Sequence, residues 1–161
     1  MGILKNLFSA KKPKETPVEP AAPRTLQKEF FRVVGLPYYK ENLNKLACKN
    51  PDWSLKFADL SASGKLDHEI YRYNYIYKPV KLVPEPNNKY DKNAIMVLIA
   101  GELIGYISES DNVHVLDIIN NHNVKYVSAY IHGGEFKLVH PDKSVVKSQE
   151  DMSVKLQIAY V

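Results

Sequence analysis

Apolar and polar residues alternate along this chain in short runs broken by proline, glycine and asparagine, a pattern of strands more than of long helices. Order begins near Gln27, where Phe30, Phe31, Arg32, Val33 and Val34 read as a strand ending at Gly35. Leu36-Pro37-Tyr38-Tyr39 reads as a loop, and residues 41–48 as a short helix burying Leu43, Leu46 and Ala47. Residues 50–68 carry Trp53, Leu55, Phe57 and Leu60, which need burial in a loop or a short helix. Tyr71, Tyr73, Tyr75 and Tyr77 then alternate with Arg72, Asn74, Ile76 and Lys78, the two-residue period of one long strand that Pro84 to Asn88 closes. The tyrosines of that strand read either as a stacking strip or as an aromatic ladder packed on the core, with a bulge near Pro79.

Ala94 to Ala100 is continuously apolar, as a strand covered on both faces would be. Gly101-Glu102 turns it into a strand over Leu103–Ile107, and Ser108 stands where a helix N-cap belongs, with Glu109 and Asp111 in the first turn. The helix is predicted to bury Val113, Leu116 and Ile119 or their neighbours and to end in Asn120-Asn121-His122-Asn123. Gly133-Gly134 predicts a hairpin tip, with Ile131 facing Phe136 and Val127 facing His140. Residues 154–161 supply a last strand. The expected fold is mainly β with helical decoration, of the α+β kind: a small antiparallel barrel of six to seven strands.

With 161 residues, 45% of them apolar and 25% charged, the chain has room for one packed domain and an appendage. No apolar run is long enough for a membrane-spanning helix, and residues 1–10 meet Lys11 and Lys12 too soon for a signal-peptide core. The lone Cys48 cannot close an internal disulfide, so a cytoplasmic setting is expected. The net charge of +4 suggests an anionic partner, but residues 1–28 hold six basic side chains against two acidic ones. That leaves sixteen of each sign in residues 29–161, a neutral domain with a local basic stretch over 72–92. Four prolines make residues 11–26 a flexible linker, which puts the domain at 27–161. Within residues 1–10, Ile3, Leu4, Leu7 and Phe8 share one helical face. That face would suit a membrane surface or a protein partner, although two turns of helix are marginal in water.

The chain contains no GxxxxGK[ST], no GxSxG and no HExxH. The predicted hairpin register sets His132 and His140 on opposite faces, and His114 and His122 lie about 80° apart around a helix. All five histidines, with His68, therefore read as structural, and Cys48 reads as a small helix-packing residue. No metal, no cofactor and no catalytic residue is expected.

Residues 82–107, LVPEPNNKYDKNAIMVLIAGELIGYI, run strand, Glu-Pro, Asn, Tyr-Asp-x-Asn-Ala-Ile, strand, tight glycine turn, Ile-Gly-Tyr. This arrangement resembles the HIRAN domain, and Val33-Val34-Gly35-Leu36-Pro37-Tyr38-Tyr39 resembles that family's opening strand and aromatic loop. The resemblance covers about residues 29–140. It implies an OB-like barrel that captures the 3′ end of single-stranded DNA. An aromatic of the opening loop, Tyr38 or Tyr39, and Tyr90 would stack on terminal bases, and Asp91 would receive the free 3′-hydroxyl. Lys89 and Lys92 could hold preceding phosphates, and Asn93 and Tyr106 complete the candidate set. The chemistry is sound by itself: a tyrosine ring is a sequence-tolerant platform, and a carboxylate accepts from a hydroxyl while repelling a further phosphate. On the residues alone, Asp91 and Asn93 suit a turn equally well, and Tyr90 a lid on the core. Pro37 replaces an arginine common in DNA-binding relatives, and Ser108-Glu109-Ser110-Asp111 is acidic where they are basic, which predicts weaker end binding. Two other readings compete: a protein-interaction or tethering module on the same scaffold, and a nuclease using Asp91 and a histidine.

Overall fold

The computed structural model describes residues 25–161 except Tyr77. The expected amphipathic segment 1–10, nearly all of the linker 11–26, and one member of the tyrosine run lie outside the described residues. The strands are β1 (Gln27–Val34), β2 (Cys48–Lys49), β3 (Ile70–Tyr71), β4 (Tyr73–Asn74), β5 (Val80–Pro84), β6 (Ile95–Ile99), β7 (Glu102–Ile107), β8 (Val124–Val139) and β9 (Val145–Tyr160). The helices are α1 (Lys40–Lys45), α2 (Phe57–Ala62) and α3 (Glu109–Asn121), with single 3-10 turns at Leu36–Tyr39 and Pro51–Ser54.

Seven strands form one antiparallel sheet in the order β3-β8-β9-β1-β7-β6-β5, and β2 pairs β4 apart from it. The mainly β class with helical decoration is as expected. The barrel is not closed by hydrogen bonds, because no ladder joins β5 to β3 or β8 among the described residues. Apolar side chains of β5 and β8, Leu82 and Val127, instead line the gap together with Ile119 of α3. One core unites Phe31 and Val33 of β1, Ile95, Val97 and Ile99 of β6, Val115 and Ile118 of α3, and Leu156 and Ile158 of β9. A smaller one gathers Leu60, Ile70 and Val139 under Trp53 and Phe57, which is where residues 50–68 find burial.

Three expectations change. The run from Tyr71 is not one strand but three pieces, pairing β8, β2 and β6 in turn. Pro79, which has no N–H for a ladder, lies just before the last piece. The described tyrosines of the run therefore form no single ladder: Tyr71 is half-buried with its hydroxyl donating to Glu150, Tyr73 is exposed beside Arg72, and Tyr75 reaches the Met152 sulfur. Gly133-Gly134 is not a hairpin tip either. Both lie inside β8 at a register shift, and a Cβ on Gly133 would stand 2.4 Å from the Asp151 carbonyl oxygen. The chain turns instead at Pro141–Ser144, where the Asp142 carboxylate accepts the Ser144 N–H at 2.9 Å, so His132 pairs Ser153 and Val139 pairs Val145. Cys48 sits in β2, not in the helix, which stops at Lys45. The buried face of α3 is made of the neighbours the sequence allowed for, Asn112, Val115 and Ile118, with Leu116 and Ile119 half-buried against the core and Val113 63% exposed.

Candidate nucleic-acid interface

The site is built around the β6–β7 hairpin and the segment that leads into it. β7 crosses β1 with Val33 opposite Ile107 and Val34 opposite Tyr106. Gly105 makes that approach possible, since a Cβ there would stand 2.3 Å from the Val34 carbonyl oxygen. The glycine of Ile-Gly-Tyr is thus a requirement of strand packing, and it delivers Tyr106 beside the opening loop. α1 is pinned to the same hairpin: the Asn42 amide donates to the Leu103 carbonyl at 2.9 Å, and Lys45 pairs with Glu102 at 2.9 Å.

The Tyr39 ring packs on Tyr106 at 6.3 Å between centroids, while Tyr38 is 89% exposed. The Tyr106 hydroxyl donates to Glu85 at 3.3 Å. Burial, together with Tyr39 and the Glu85 carboxylate beside it, pushes that hydroxyl up to about 12. Glu85 also accepts from the Asn88 amide at 2.7 Å, and the Asn88 side-chain oxygen receives the N–H groups of Tyr90 (2.9 Å) and Asp91 (3.2 Å). A chain of contacts therefore links the aromatic loop to the Tyr-Asp turn through Tyr106, Glu85 and Asn88.

Tyr90 projects from this turn and is 97% exposed, so it is no lid on the core. The Asp91 carboxylate is held from two sides. One oxygen accepts the Asn93 N–H at 2.8 Å, and the other accepts from the Asn112 amide of α3. Asn112 is 2% exposed and stands among the buried residues as a polar exception. Each carboxylate oxygen can accept a further hydrogen bond, and Asp91 is only partly covered. Lys89, Lys92 and Asn93 are exposed around the turn. Ser108 takes the N-cap position, its hydroxyl bonded to Ser110 and Asp111 and its carbonyl accepting the Asp111 and Asn112 N–H groups. The acidic stretch after Ile-Gly-Tyr is therefore the first turn of α3, where carboxylates oppose the helix dipole. Beside Pro37, a groove of 460 Å³ counts Arg32, Lys40, Glu150 and Asp151 among its lining residues.

Tyr39, Tyr106, Tyr90 and Asp91 are thus gathered in one region. The reading of the sequence passed over Glu85, Asn88 and Asn112, which organise that region. Glu85 and Asn88 stand inside the quoted motif, and Asn112 interrupts an otherwise apolar face three residues before Val115. Among the described residues no group of three or more His, Cys, Asp or Glu side chains could hold a metal ion. Four of the histidines pair singly with acids, His114 with Glu29, His122 with Asp117, His132 with Glu150 and His140 with Asp67.

The HIRAN domain family matches this sequence over residues 30–156. The chain belongs to the HIRAN domain family. A HIRAN domain is a binding module that is not catalytic in itself, and the family's link to DNA makes this chain a nucleic-acid-binding module. No curated protein sequence matches it. Among solved structures it is similar to the HIRAN domain of human HLTF, at 17% identity and a TM-score of 0.41, over 83% of this chain and 74% of that one. No helix of the described residues is long and apolar enough to cross a membrane.

Proposed function

We propose that this HIRAN domain holds the free 3′ end of single-stranded DNA, with Tyr90 and Tyr38 as stacking faces and Asp91 as acceptor for the terminal hydroxyl. The observation that carries this reading is the pairing of a fully presented ring with a carboxylate braced from behind by a buried amide. A residue needed only for the turn would use the Asn93 N–H alone; the second brace from α3 fixes the direction of the carboxylate. Tyr39 and Tyr106 support the loop that carries Tyr38, and Lys89 and Lys92 meet the preceding phosphates. The binding unit in this reading is residues 27–161, with residues 11–26 as a tether.

Fluorescence polarisation with short strands ending in a 3′-hydroxyl or a 3′-phosphate, at matched salt, tests it. The hydroxyl end should bind more tightly. Tyr90→Ala should weaken both by about 1–3 kcal/mol, the worth of one stacked base. Asp91→Asn should keep the hydroxyl end and lose the discrimination, because the amide oxygen still accepts but no longer repels phosphate. Equal binding of the two ends by the wild-type protein would remove end reading.

A further inference from the structure

The outer face of β8, β9 and β1 is a second surface with its own chemistry. Directly paired residues of neighbouring strands point to one side of a sheet, so the register assembles three rows. Lys28, Ala159 and Tyr126 form the first, Phe30, Gln157 and Ser128 the second, and Arg32, Lys155 and Tyr130 the third. The alternate residues Phe31, Leu156 and Ile158 face the core, and α3 lies on that inner side, where its His114 packs on Phe31. The large side chains of the rows are open: Phe30 is 55% and Tyr130 54% exposed, and Lys28, Arg32, Tyr126 and Lys155 are exposed with them, while Ala159 between Lys28 and Tyr126 is buried.

Three cations and three aromatic rings share these rows, and carboxylates enter only at their edge, where Glu150 and Asp151 line a groove with Arg32. Glu29, the acid nearest in sequence, faces inward to His114 and Tyr160. Phe30 and Tyr130 stand 6.2 Å apart, the Lys155 ammonium is 6.0 Å from the Phe30 ring, and Lys28 is 6.0 Å from that of Tyr126. Strand spacing and rise make the patch roughly 10 by 14 Å. It is continuous with the candidate end site, because the residue after Arg32 and Val33, Val34, is paired on the same face with Tyr106.

We propose that this face is a path for the body of a single DNA strand whose 3′ end lies at Tyr90 and Asp91. Unpaired bases stack on Tyr130, Phe30 and Tyr126, and Arg32, Lys155 and Lys28 meet the phosphates. Open rings on a flat sheet take unpaired bases, whereas a duplex keeps its bases stacked on each other. A cationic array in a neutral domain, with Glu150 and Asp151 only at its Arg32 edge, is complementary to a polyanion. The inference rests on the nucleic-acid-binding reading but not on end reading by Asp91.

The test uses the full chain and three thymidine probes: a strand of about three nucleotides, one of about twelve, and the longer one with a 3′-phosphate. The longer strand should bind the wild-type protein about tenfold more tightly than the short one. The triple variant Arg32→Ser, Tyr130→Ser, Lys155→Ser should lose about tenfold on the long strand and nothing on the short one. Two lost phosphate contacts should also flatten the log–log salt slope for the long strand by about 1.4. Equal binding of long and short strands, or a triple variant that weakens both alike or neither, overturns the inference and leaves the face to another macromolecule. If the triple variant melts early, Lys155→Ser alone should flatten the slope by about 0.7, and an unchanged slope is equally fatal. The 3′-phosphate arm separates the two readings. Indifference to the end group with a length-dependent, face-dependent affinity removes end reading only; end discrimination without a length effect removes the strand path only.

Discussion

A buried amide behind a partly exposed carboxylate decides where that carboxylate can point, and Asn112 does this for Asp91. Asn112→Ala should lower stability by about 1.5–3 kcal/mol, the range for a hydrogen bond to a charged group, and should narrow the preference for a 3′-hydroxyl. Thermal melting reads the first effect and paired-probe binding the second; a loss of stability with discrimination intact would make Asn112 a packing residue only. Tyr106 gives a pH test. Its hydroxyl is held neutral up to about 12 in the fold and to near 10 in the unfolded chain, so the folded state keeps its proton longer between those values. Its contribution to stability is present below pH 10 and is lost as pH rises toward 12. Tyr106→Phe should therefore flatten the fall in stability across that window, followed by urea melts in alkaline buffer. Tyr90 and Asp91 were legible in the sequence because turn chemistry and motif spacing need only local residues. Asn112 was not, since its burial depends on how α3 is rotated on a sheet whose path the sequence does not print.

Among the elements, local rules served where one strand met one neighbour and failed where partners changed. β1, β6, β7 and the start of α3 were readable from alternation, a continuous apolar run and an N-cap serine. The tyrosine run was not, because a two-residue period cannot tell one strand from several that pair with different partners. Gly133-Gly134 misled because glycine serves a turn and a bulge alike, and only the opposing Asp151 backbone distinguishes them. Gly105 carries a sharper expectation. Gly105→Ala places a methyl group against backbone that cannot swing aside, and should destabilise by about 1–3 kcal/mol or more. Calorimetry should show it, and the motif's tyrosine should lose its place beside Tyr39. Glu29 ties β1 to β9 and α3 through the Tyr160 hydroxyl and His114, and these hydrogen bonds, Tyr160 first, hold its carboxyl below the usual glutamate range. The stability it adds is present above the unfolded value near 4.5 and is lost as pH falls through the lower folded one. Glu29→Gln should flatten acid unfolding in that range.

For the whole molecule, a neutral sum conceals a separation of charge. Residues 29–161 balance sixteen basic against sixteen acidic side chains, yet the outer face of β8, β9 and β1 gathers cations, and α3 opens with Glu109 and Asp111. Residues 1–26 add five basic and two acidic residues. Removing them should weaken DNA binding and flatten its salt slope while leaving the melting temperature of the fold nearly unchanged; an unchanged slope would show that the N-terminal charges never meet phosphate. The class of fold was legible in composition and period, but the open sheet was not, because closure depends on the meeting of two edges far apart in sequence. The strand order has one more consequence. β1, the first strand among the described residues, lies between β7 and β9, and Gln27 pairs with Tyr160 of β9. A nascent chain leaving the ribosome can form the β6–β7 hairpin early, but β1 lacks its longer partner until β9 emerges. Phe31 and Val33 must wait for Leu156 and Ile158. Arrest of translation before Val154 should leave a protease-sensitive, aggregation-prone chain, and release of the last strand should bring protection in a single step.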